Sequence, residues 1–475
     1  MLLSLTILPS IGALVLAFTP ATNRNFIRNF SLFWSLLIFN LSIVLFCLFD
    51  PANTQFQMCE EISWIQFSNL KVTLGVDGLS LLLVLLTAFL IPICILLSWN
   101  FSIEANVKKY NIAFLVLETI LFGVFFSLDV MLFYLFFEAV LIPMYFIIGV
   151  YGSRKRRIRA SYMLFLYTLF SSIFMFLAIL YIYFTCGTTD FQTLKTIQLD
   201  TFVERCCWFA FFLSFAVKMP LIPFHIWLPE AHCEAPTAGS VILAGILLKL
   251  GGFGFLRFSI GLFPESSAYF TPLIYAISVF GVVYASITTL QQIDLKKIIA
   301  YSSVGHMGLV TIGLFCGNSQ GILGAILLMI SHGIVSGALF LCIGILYERH
   351  HTRIVRYYSG LIHTMPMFAV SFIIFSLANL GLPGTSSFIG EFLIIAGSFE
   401  TNSWVALLCG TGMVFGAGYS LWLLNRLLFG NSKNIAVAHL RDLTRLEFFI
   451  LLPFILLTFI IGVYPEFIVN YVTVY

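Results

Sequence analysis

Four ionisable side chains lie inside long apolar stretches of the sequence: Glu138, Lys218, Lys249 and Glu391. An ionised side chain at the centre of a bilayer costs about 2.5 to 3.5 kcal/mol on insertion scales, so each of these charges needs an explanation. The two acids and two bases could form buried salt bridges that only hold helices together. Because an apolar replacement of a buried ion pair is often neutral or stabilising, we favour a role in handling ions or protons.

Histidines supply further titratable groups in the same part of the chain. His306 and His332 lie at mid-span and fall in sequence between Lys249 and Glu391. Imidazole gains and loses a proton near neutral pH, although a buried histidine can equally be a satisfied hydrogen-bonding group. Their position favours a proton relay. Glu118 is a further candidate for the relay, and the alternative interpretation is that it lies near a helix end and reaches polar headgroups.

A polar segment contains His225, Glu230, His232 and Glu234. Imidazole and carboxylate both bind zinc, so a metal site is one interpretation. The segment has no HExxH pattern, and prolines interrupt its helix geometry. The favoured interpretation is a hydrated entrance on the inner side that feeds protons toward Lys218.

The composition defines the elements that must position these groups. The 475 residues are 60% hydrophobic and only 9% charged, with a formal net charge of +3. Such a chain cannot cover itself with a water-facing surface, and its small net charge excludes nucleic acid as a partner and a disordered charged chain. The ten cysteines include no CxxC pair, so neither a metal site nor a disulfide framework is indicated. We therefore expect an all-α polytopic membrane protein.

Apolar runs of about 20 residues predict the membrane-spanning helices, because lipid offers backbone amides no hydrogen-bond partner. The sequence contains about fourteen such runs. They lie at 1–18, 30–50, 78–99, 109–127, 129–150, 160–185, 206–227, 238–260, 272–291, 297–316, 320–347, 361–400 (interrupted), 403–428 and 447–470.

Basic residues are distributed unevenly over the predicted loops. Most Lys and Arg residues, including Lys296, Lys297 and the run 154–157, follow odd-numbered spans. Loops after even-numbered spans hold only Lys71, Lys195, Arg205 and Arg257. Because basic loops stay on the side of insertion, this pattern predicts an even number of spans with both termini on the outer side. The run 154–157 is interpreted as a topology anchor, with contact to anionic lipid as the alternative.

Prolines interrupt two of the predicted spans. The segments Lys218–Pro236 and Leu380–Thr385 break the seventh and twelfth spans, and each has a charged residue beside it. Matching interruptions of this kind indicate repeats around a central ion pathway. The two breaks lie five spans apart, and because five is an odd number, successive copies would be inverted with respect to the membrane. We predict N-terminal helices at 1–108, a first repeat at 109–260, a second at 272–428 and a last helix at 447–475.

Three segments resemble the antiporter-like subunits of NADH:quinone oxidoreductase, or respiratory complex I. They are PEAHCEAPTAGS at 229–240 within a longer match, QQIDLKKIIAYSSVGHMG from Gln291, and LPGTSSFIGEF from Leu382. The resemblance covers nearly the whole chain. It implies fourteen core helices, two inverted five-helix repeats and discontinuous helices 7 and 12. It also implies a multi-pass protein of the mitochondrial inner membrane, with a plastid relative as the alternative.

The resemblance implies a role for each titratable group. Glu138 and Lys218 match the family's Glu/Lys pair on helices five and seven, and Lys249 matches the central lysine of helix eight. Glu391 matches the acidic group that faces the outer half-channel. The remaining matches are polar residues of the central axis or of helix seven: His225, His232, His306 and His332.

The resemblance and the buried charges together suggest a mechanism. Separation of Glu138 from Lys218 would leave the ammonium unpaired in a low-dielectric interior and favour release of its proton. Lys249 would receive the proton and Glu391 would pass it outward. Moving one charge against 100 mV costs about 2.3 kcal/mol, which equals a pKa shift of less than two units. A shift of that size in the lysine pKa is therefore enough to drive the transfer.

The energy source is expected in partner subunits. The sequence has no dinucleotide fingerprint, no P-loop and no cysteine set for an iron–sulfur cluster. The resemblance implies flavin, iron–sulfur clusters and ubiquinone in those partners and no cofactor in this chain. Further expected partners are neighbouring antiporter-like subunits and phospholipids such as cardiolipin. A stand-alone or Mrp-type cation/proton antiporter subunit and a purely structural membrane scaffold are the alternatives.

Overall fold

The computed structural model describes residues 1–53, 55–65, 70–100, 106–431 and 439–472. Within these residues the chain is mostly helical, and eleven helices are long and apolar enough to cross a membrane. Leu2–Phe18 and Pro366–Leu380 are shorter apolar helices. The expectation of a polytopic membrane protein is therefore confirmed, with a chain that is mostly but not entirely helical.

Helices in the first half of the described chain are numbered in order. They are α1 (Leu2–Phe18), α2 (Arg24–Leu48), α3 (Gly78–Asn100), α4 (Val107–Phe126), α5 (Val130–Ala139), α6 (Leu141–Tyr151), α7 (Arg157–Cys186), α8 (Phe191–Leu194), α9 (Thr201–Lys218), α10 (Trp227–Glu234), α11 (Thr237–Ile242) and α12 (Leu248–Gly254). The second half continues with α13 (Pro264–Leu290), α14 (Leu295–Phe315), α15 (Ser319–His350), α16 (Leu361–Thr364), α17 (Pro366–Leu380), α18 (Ser386–Thr401), α19 (Ser403–Leu428), α20 (Arg445–Val463) and α21 (Glu466–Val472).

Most predicted spans match these helices to within a few residues. The predicted interruption of the seventh span is observed, because α9 ends at Lys218 and the chain turns before α10 begins. The interruption predicted within 361–400 is observed as the break between α17 and α18, after the short α16. The span predicted at 129–150 differs from the structure, because it divides at Val140 into α5 and α6.

A β-hairpin follows α2 in a segment to which the sequence analysis assigned no element. Strand β1 (Gln57–Ile65) pairs antiparallel with β2 (Leu70–Val76). Glu60 in β1 accepts hydrogen bonds from the amides of Leu2 and Leu3, at 3.1 and 2.9 Å. These amides belong to the first turn of α1 and have no partner within that helix. Glu60 therefore fastens the hairpin to the start of α1.

The central helices are buried and the outer ones present apolar side chains to their surroundings. The segment Thr237–Ile260, which contains α11 and α12, is buried up to its last residue, and the membrane-length part of α15 is completely buried. In contrast, less than half of the corresponding part of α7 is buried. In a bilayer, exposed side chains on such outer helices face lipid tails, which are as apolar as they are. The titratable groups of the interior are therefore shielded by a surrounding layer of helices.

Two π-helical turns flank Lys249 within Thr237–Ile260. They cover Leu243–Leu247 and Phe255–Ile260, on either side of α12. Turns of this kind insert an extra residue into the helical ladder and occur often at functional sites. Gly251 lets the neighbouring α9 come close, because a Cβ there would lie 2.6 Å from the Cβ of Met219. The backbone of the helix that carries Lys249 therefore packs directly against the end of α9.

Arg257 was interpreted from the sequence as a loop residue, and this interpretation was wrong. It lies in the second π-helical turn with a side chain that is 1% exposed, and its guanidinium forms an ion pair with Asp77. The guanidinium also donates to the carbonyl of Phe125 at 3.3 Å and stacks on Phe253. Hydropathy could not distinguish this buried ion pair from a basic residue at a helix end.

Replacing Arg257 with methionine is expected to destabilise the protein by about 3 to 5 kcal/mol, because Asp77 would remain as an uncompensated charge. The measurement is the loss of assembled protein on heating or detergent titration. The double replacement Arg257→Met with Asp77→Asn is the control and should recover much of the loss. A single Arg257→Met variant as stable as the unmodified protein would contradict a stabilising ion pair.

Candidate functional site

The centre of the candidate site is Lys249, whose side chain is fully buried. Its Nζ donates to the carbonyl of Ala244 at 2.6 Å, and it lies 2.8 Å from Nδ1 of His332. Ala244 belongs to the π-helical turn, five residues before Lys249. The helix distortion and α15 thus hold the amine against an imidazole nitrogen at hydrogen-bond distance.

A second histidine and a carboxylate continue the row. The ring of His332 lies 5.5 Å from that of His306, measured between centroids. Nδ1 of His306 is 3.2 Å from Oε1 of Glu391, within ion-pair range, although the atoms are not aligned for a hydrogen bond. The structure therefore brings Lys249, His332, His306 and Glu391 into one continuous series, and all four side chains are buried.

The break between α17 and α18 positions Glu391. Gly381 and Gly384 take positive φ angles of 79° and 90° at this break, which favours glycine. Gly381 also faces the Glu391 carboxylate so closely that a Cβ there would collide with it. The carbonyl of Ala378, in the last turn of α17, accepts from the Gly381 amide and also from the Ser387 hydroxyl. The broken helix therefore holds the carboxylate beside the backbone of the turn that joins α17 and α18.

A small cavity of about 30 Å³ adjoins this end of the row. Its lining includes His306, Glu391, Asn379 and Tyr419. Asn379 approaches the Tyr419 hydroxyl at 3.5 Å. A polar space of this size can hold one or two water molecules. Sequence analysis missed Tyr419, because a tyrosine inside an apolar span has no distinguishing signal.

Lys218 is the last residue of α9 and is 4% exposed. Its Nζ lies over the ring of Phe137, 4.3 Å from the centroid, and 3.4 Å from the carbonyl oxygen of the same residue. After Lys218 the helix ends, and the indole of Trp227 donates to the freed carbonyl of Val217 at 3.0 Å. The lysine is thus held beside α5, which carries Glu138.

Glu138 lies two residues before a break in its helix that the sequence did not lead us to expect. The helix is interrupted at Val140, and Pro143 has no N–H to donate to the carbonyl of Ala139. The Glu138 carboxylate interacts electrostatically with Lys218, but among the described residues no ion pair within 4.0 Å joins the two. The predicted partners are therefore neighbours that are separated in this conformation. Pro143 was the available signal for the break.

The four polar residues between α9 and α11 do not converge on one point. His225 packs near the rings of Tyr284 and Tyr301, and Glu230 pairs with Lys297 at 2.6 Å. His232 stacks on Phe340 with a centroid distance of 4.6 Å. Within the described ranges, no group of three or more His, Cys, Asp or Glu side chains is placed to hold a metal ion.

Two further predictions about charged residues have definite outcomes. Glu118 is fully buried in α4, and neither carboxylate oxygen has a hydrogen-bond partner among the residues described. It therefore does not reach headgroups in this structure. Lys296, interpreted as a loop residue, is instead buried at the start of α14. Its position beside α10 could not be inferred from the sequence, because it depends on contacts between distant segments.

Outside the membrane-length helices, Asp129 caps the start of α5. It accepts from the amides of Met131 and Leu132 at 2.8 and 3.0 Å and from Thr189 at 2.5 Å. Burial raises the pKa of its carboxyl above the ordinary value, although these hydrogen bonds oppose the shift. The cap fixes where α5 begins, and so fixes the depth of Glu138.

Membrane-length helices packed around a buried row of lysine, histidine and glutamate define a multi-pass membrane protein of the antiporter-like type. The model of the NADH:quinone oxidoreductase/Mrp antiporter transmembrane family matches residues 127–416, and the chain belongs to this family. It is similar to NADH-ubiquinone oxidoreductase chain 4 of Marchantia polymorpha, with 56% identity over 462 residues, 97% of this chain and 93% of that protein.

Solved structures show the same fold. A chain in the structure titled respiratory complex I from Thermus thermophilus with bound NADH has a TM-score of 0.91 at 29% identity. The match covers 100% of this chain and 98% of that chain. A chain of the Mrp complex from Dietzia sp. DQ12-45-1b has a TM-score of 0.85 at 18% identity, covering 99% of this chain and 52% of that one. The latter likeness concerns the fold alone.

Proposed function

We propose that this chain is a proton-translocating membrane-arm subunit of NADH:ubiquinone oxidoreductase in the mitochondrial inner membrane. One observation carries the proposal: Lys249, His332, His306 and Glu391 form a buried series in which successive groups are in contact or nearly so. Such a series is costly in a membrane interior and weak as a stabiliser. Proton transfer along the series explains why these titratable side chains are buried in the membrane interior.

Protons enter the series when the Lys218 ammonium loses the stabilising charge of Glu138. The ammonium is already held by a carbonyl and an aromatic ring and not by a close carboxylate. The Lys218 ammonium therefore keeps stabilising contacts while Glu138 is separated from it. The released proton reaches Lys249, passes through His332 and His306, and leaves through Glu391 toward the outer side.

The proposed topology has fourteen membrane crossings with both termini on the outer side. Helices 4–8 (109–260) and 9–13 (272–428) form two inverted repeats, between N-terminal helices at 1–108 and a last helix at 447–475. Support comes from the two discontinuous helices, α9/α10 and α17/α18, which lie in corresponding positions of the proposed repeats. Each break carries a proposed proton-transfer residue, Lys218 or Glu391.

The proposed partners are the other membrane-arm subunits, including neighbouring antiporter-like subunits, together with phospholipids such as cardiolipin. Flavin, iron–sulfur clusters and ubiquinone are placed in partner subunits, which supply the redox energy. This chain then contributes to the NADH:ubiquinone reductase reaction as a subunit. Its own residues bind and move protons, and His225 and His232 line the region that supplies Lys218 and Lys249.

Purification of the native assembly tests the proposal against the Mrp-type alternative. We expect this chain to co-purify with flavin, iron–sulfur clusters and NADH oxidation activity, because the proposal assigns the redox groups to partner subunits. The measurement is the flavin and iron content of the assembly together with NADH-dependent acidification in liposomes. An assembly that lacks flavin and exchanges cations for protons without NADH would contradict the proposal.

A further inference from the structure

A cavity of about 630 Å³ lies on the side of the molecule where the basic loop residues predict the inner aqueous phase. We call it the inner vestibule and define it by its ionisable lining residues. These are Arg157, Lys296, Glu348, His351 and Arg353. The vestibule also borders Ala235 and Pro236, the two residues between the end of α10 and the start of α11.

Lys296 forms the inner wall of the vestibule, and its side chain is 3% exposed. Nζ donates to the carbonyl of Ala235 at 2.7 Å and to Oγ of Ser240 at 3.2 Å. The Ala235 carbonyl is one of the backbone acceptors left at the end of α10. The ammonium is therefore held by neutral acceptors at a helix break, as Lys218 is at the end of α9.

Several charged or titratable groups surround Lys296. Arg353 repels it electrostatically, whereas Asp294 and Glu234 attract it. The Arg353 guanidinium is fixed by a hydrogen bond to the Cys233 carbonyl. Since Lys296 makes no ion pair within 4.0 Å among the described residues, its proton is not tied to one carboxylate.

His232 lies in α10, and its backbone carbonyl accepts from the same Ser240 hydroxyl that Lys296 contacts. It is fully buried, and neither ring nitrogen has a hydrogen-bond partner among the residues that the structure describes. His232 interacts electrostatically with both Lys296 and Lys249. His332, which contacts Lys249, also interacts with His232. The imidazole of His232, whose ring nitrogens have no partner among these residues, therefore interacts with both the vestibule lysine and the central lysine.

We propose that Lys296 is a proton-uptake residue that connects the inner vestibule with Lys249. Glu348 collects a proton from water in the vestibule, and the neutral Lys296 amine takes it up. The Lys296 ammonium then gives one proton, through a bridging water, to the imidazole of His232, which passes one to Lys249. No bond other than N–H and O–H is formed or broken. This inference rests on the proposed function and adds an inner entrance separate from Lys218.

Replacing Lys296 with arginine distinguishes a proton-transfer role of this residue from a purely structural one. An arginine at position 296 keeps the positive charge and can donate to the same two acceptors, but a guanidinium does not release its proton in proteins. If Lys296 only secures the end of α10, the Lys296→Arg variant should work normally. If Lys296 carries protons, the variant should fail although the complex is intact.

The test uses the complete complex assembled with this chain and reconstituted in liposomes. We expect Lys296→Arg to slow NADH-driven proton translocation by about tenfold or more. NADH oxidation with an artificial electron acceptor should stay unchanged, since redox centres lie elsewhere. Lys297→Arg is the matched control, because Lys297 is adjacent, partly exposed and paired with Glu230. Full translocation by Lys296→Arg would overturn the proposal.

Glu348→Gln provides a second test if the Lys296→Arg complex does not assemble. It should slow translocation most at alkaline inner pH, where proton collection limits uptake, and an unchanged rate at every inner pH would overturn the proposal. Lys249→Gln separates the two levels of inference. Normal pumping by Lys249→Gln would contradict the proposed function, whereas loss with Lys249→Gln but not with Lys296→Arg would contradict only the inner entrance.

Discussion

Replacing Lys249 with glutamine is expected to lower NADH-driven proton translocation through this chain by about a hundredfold, the typical contribution of a positioned proton-transfer group. The amide cannot take up a proton, so the contact with His332 would persist as a hydrogen bond without a transferable charge. In the proposed pathway Lys249 lies between Lys218 and Glu391. Among the residues described, we find no second lysine that could take its place there.

The measurement is acidification of liposomes that contain the complete complex, with the rate of NADH oxidation recorded in parallel. Lys71→Gln is a suitable control, because it removes an ammonium that is 58% exposed on the β-hairpin. Oxidation of NADH by an artificial acceptor should be the same in both variants. A Lys249→Gln complex that pumps as fast as Lys71→Gln would rule out transfer through this side chain.

Replacing Lys218 with arginine is expected to slow translocation by about ten- to hundredfold even though the positive charge remains. In this structure Nζ rests on the Phe137 carbonyl and ring while Glu138 stays outside ion-pair distance. The mechanism needs this ammonium to release its proton when the acid is separated from it. A guanidinium keeps its proton in both arrangements, so it would preserve assembly and block transfer.

A double-mutant cycle with Glu138→Gln measures the coupling between the two residues. If Glu138 acts by stabilising charged Lys218, its loss should matter little once Lys218 can no longer be neutralised. The effects on translocation of Lys218→Arg and Glu138→Gln should therefore be strongly non-additive. Additive effects would indicate that the two residues act separately, and a fully active Lys218→Arg complex would exclude Lys218 as a proton carrier.

Much of the fold could be predicted because the bilayer imposes a simple rule on the sequence. Apolar runs identified the helices, and prolines at 220, 223 and 383 identified the breaks after α9 and α17. The same rule identified Lys249 and Glu391 as candidate functional residues, since a charged residue within a membrane-spanning apolar run is costly and is rarely retained without a function. These features depend on local sequence, so they needed no knowledge of which helices are neighbours.

Features that depend on neighbours were missed or misread. Arg257 and Lys296 looked like loop cations, but contacts with Asp77 and Ala235 hold them inside the fold. The π-helical turns around Lys249 follow from packing against α9 and α15 and have no sequence signature. Pro143 was a usable signal for the break beside Glu138 and was overlooked, because the surrounding residues are uniformly apolar.

A density map of the complete complex, at a resolution that shows ordered water, would test most directly whether protons can cross this chain. Continuous transfer requires ordered waters that bridge Lys218 to Lys249, and others in the cavity beside His306 and Glu391, with hydrogen-bond spacing throughout. Apolar side chains packed between Lys218 and Lys249 in every state of the working complex, with no water between them, would contradict proton transfer along this row.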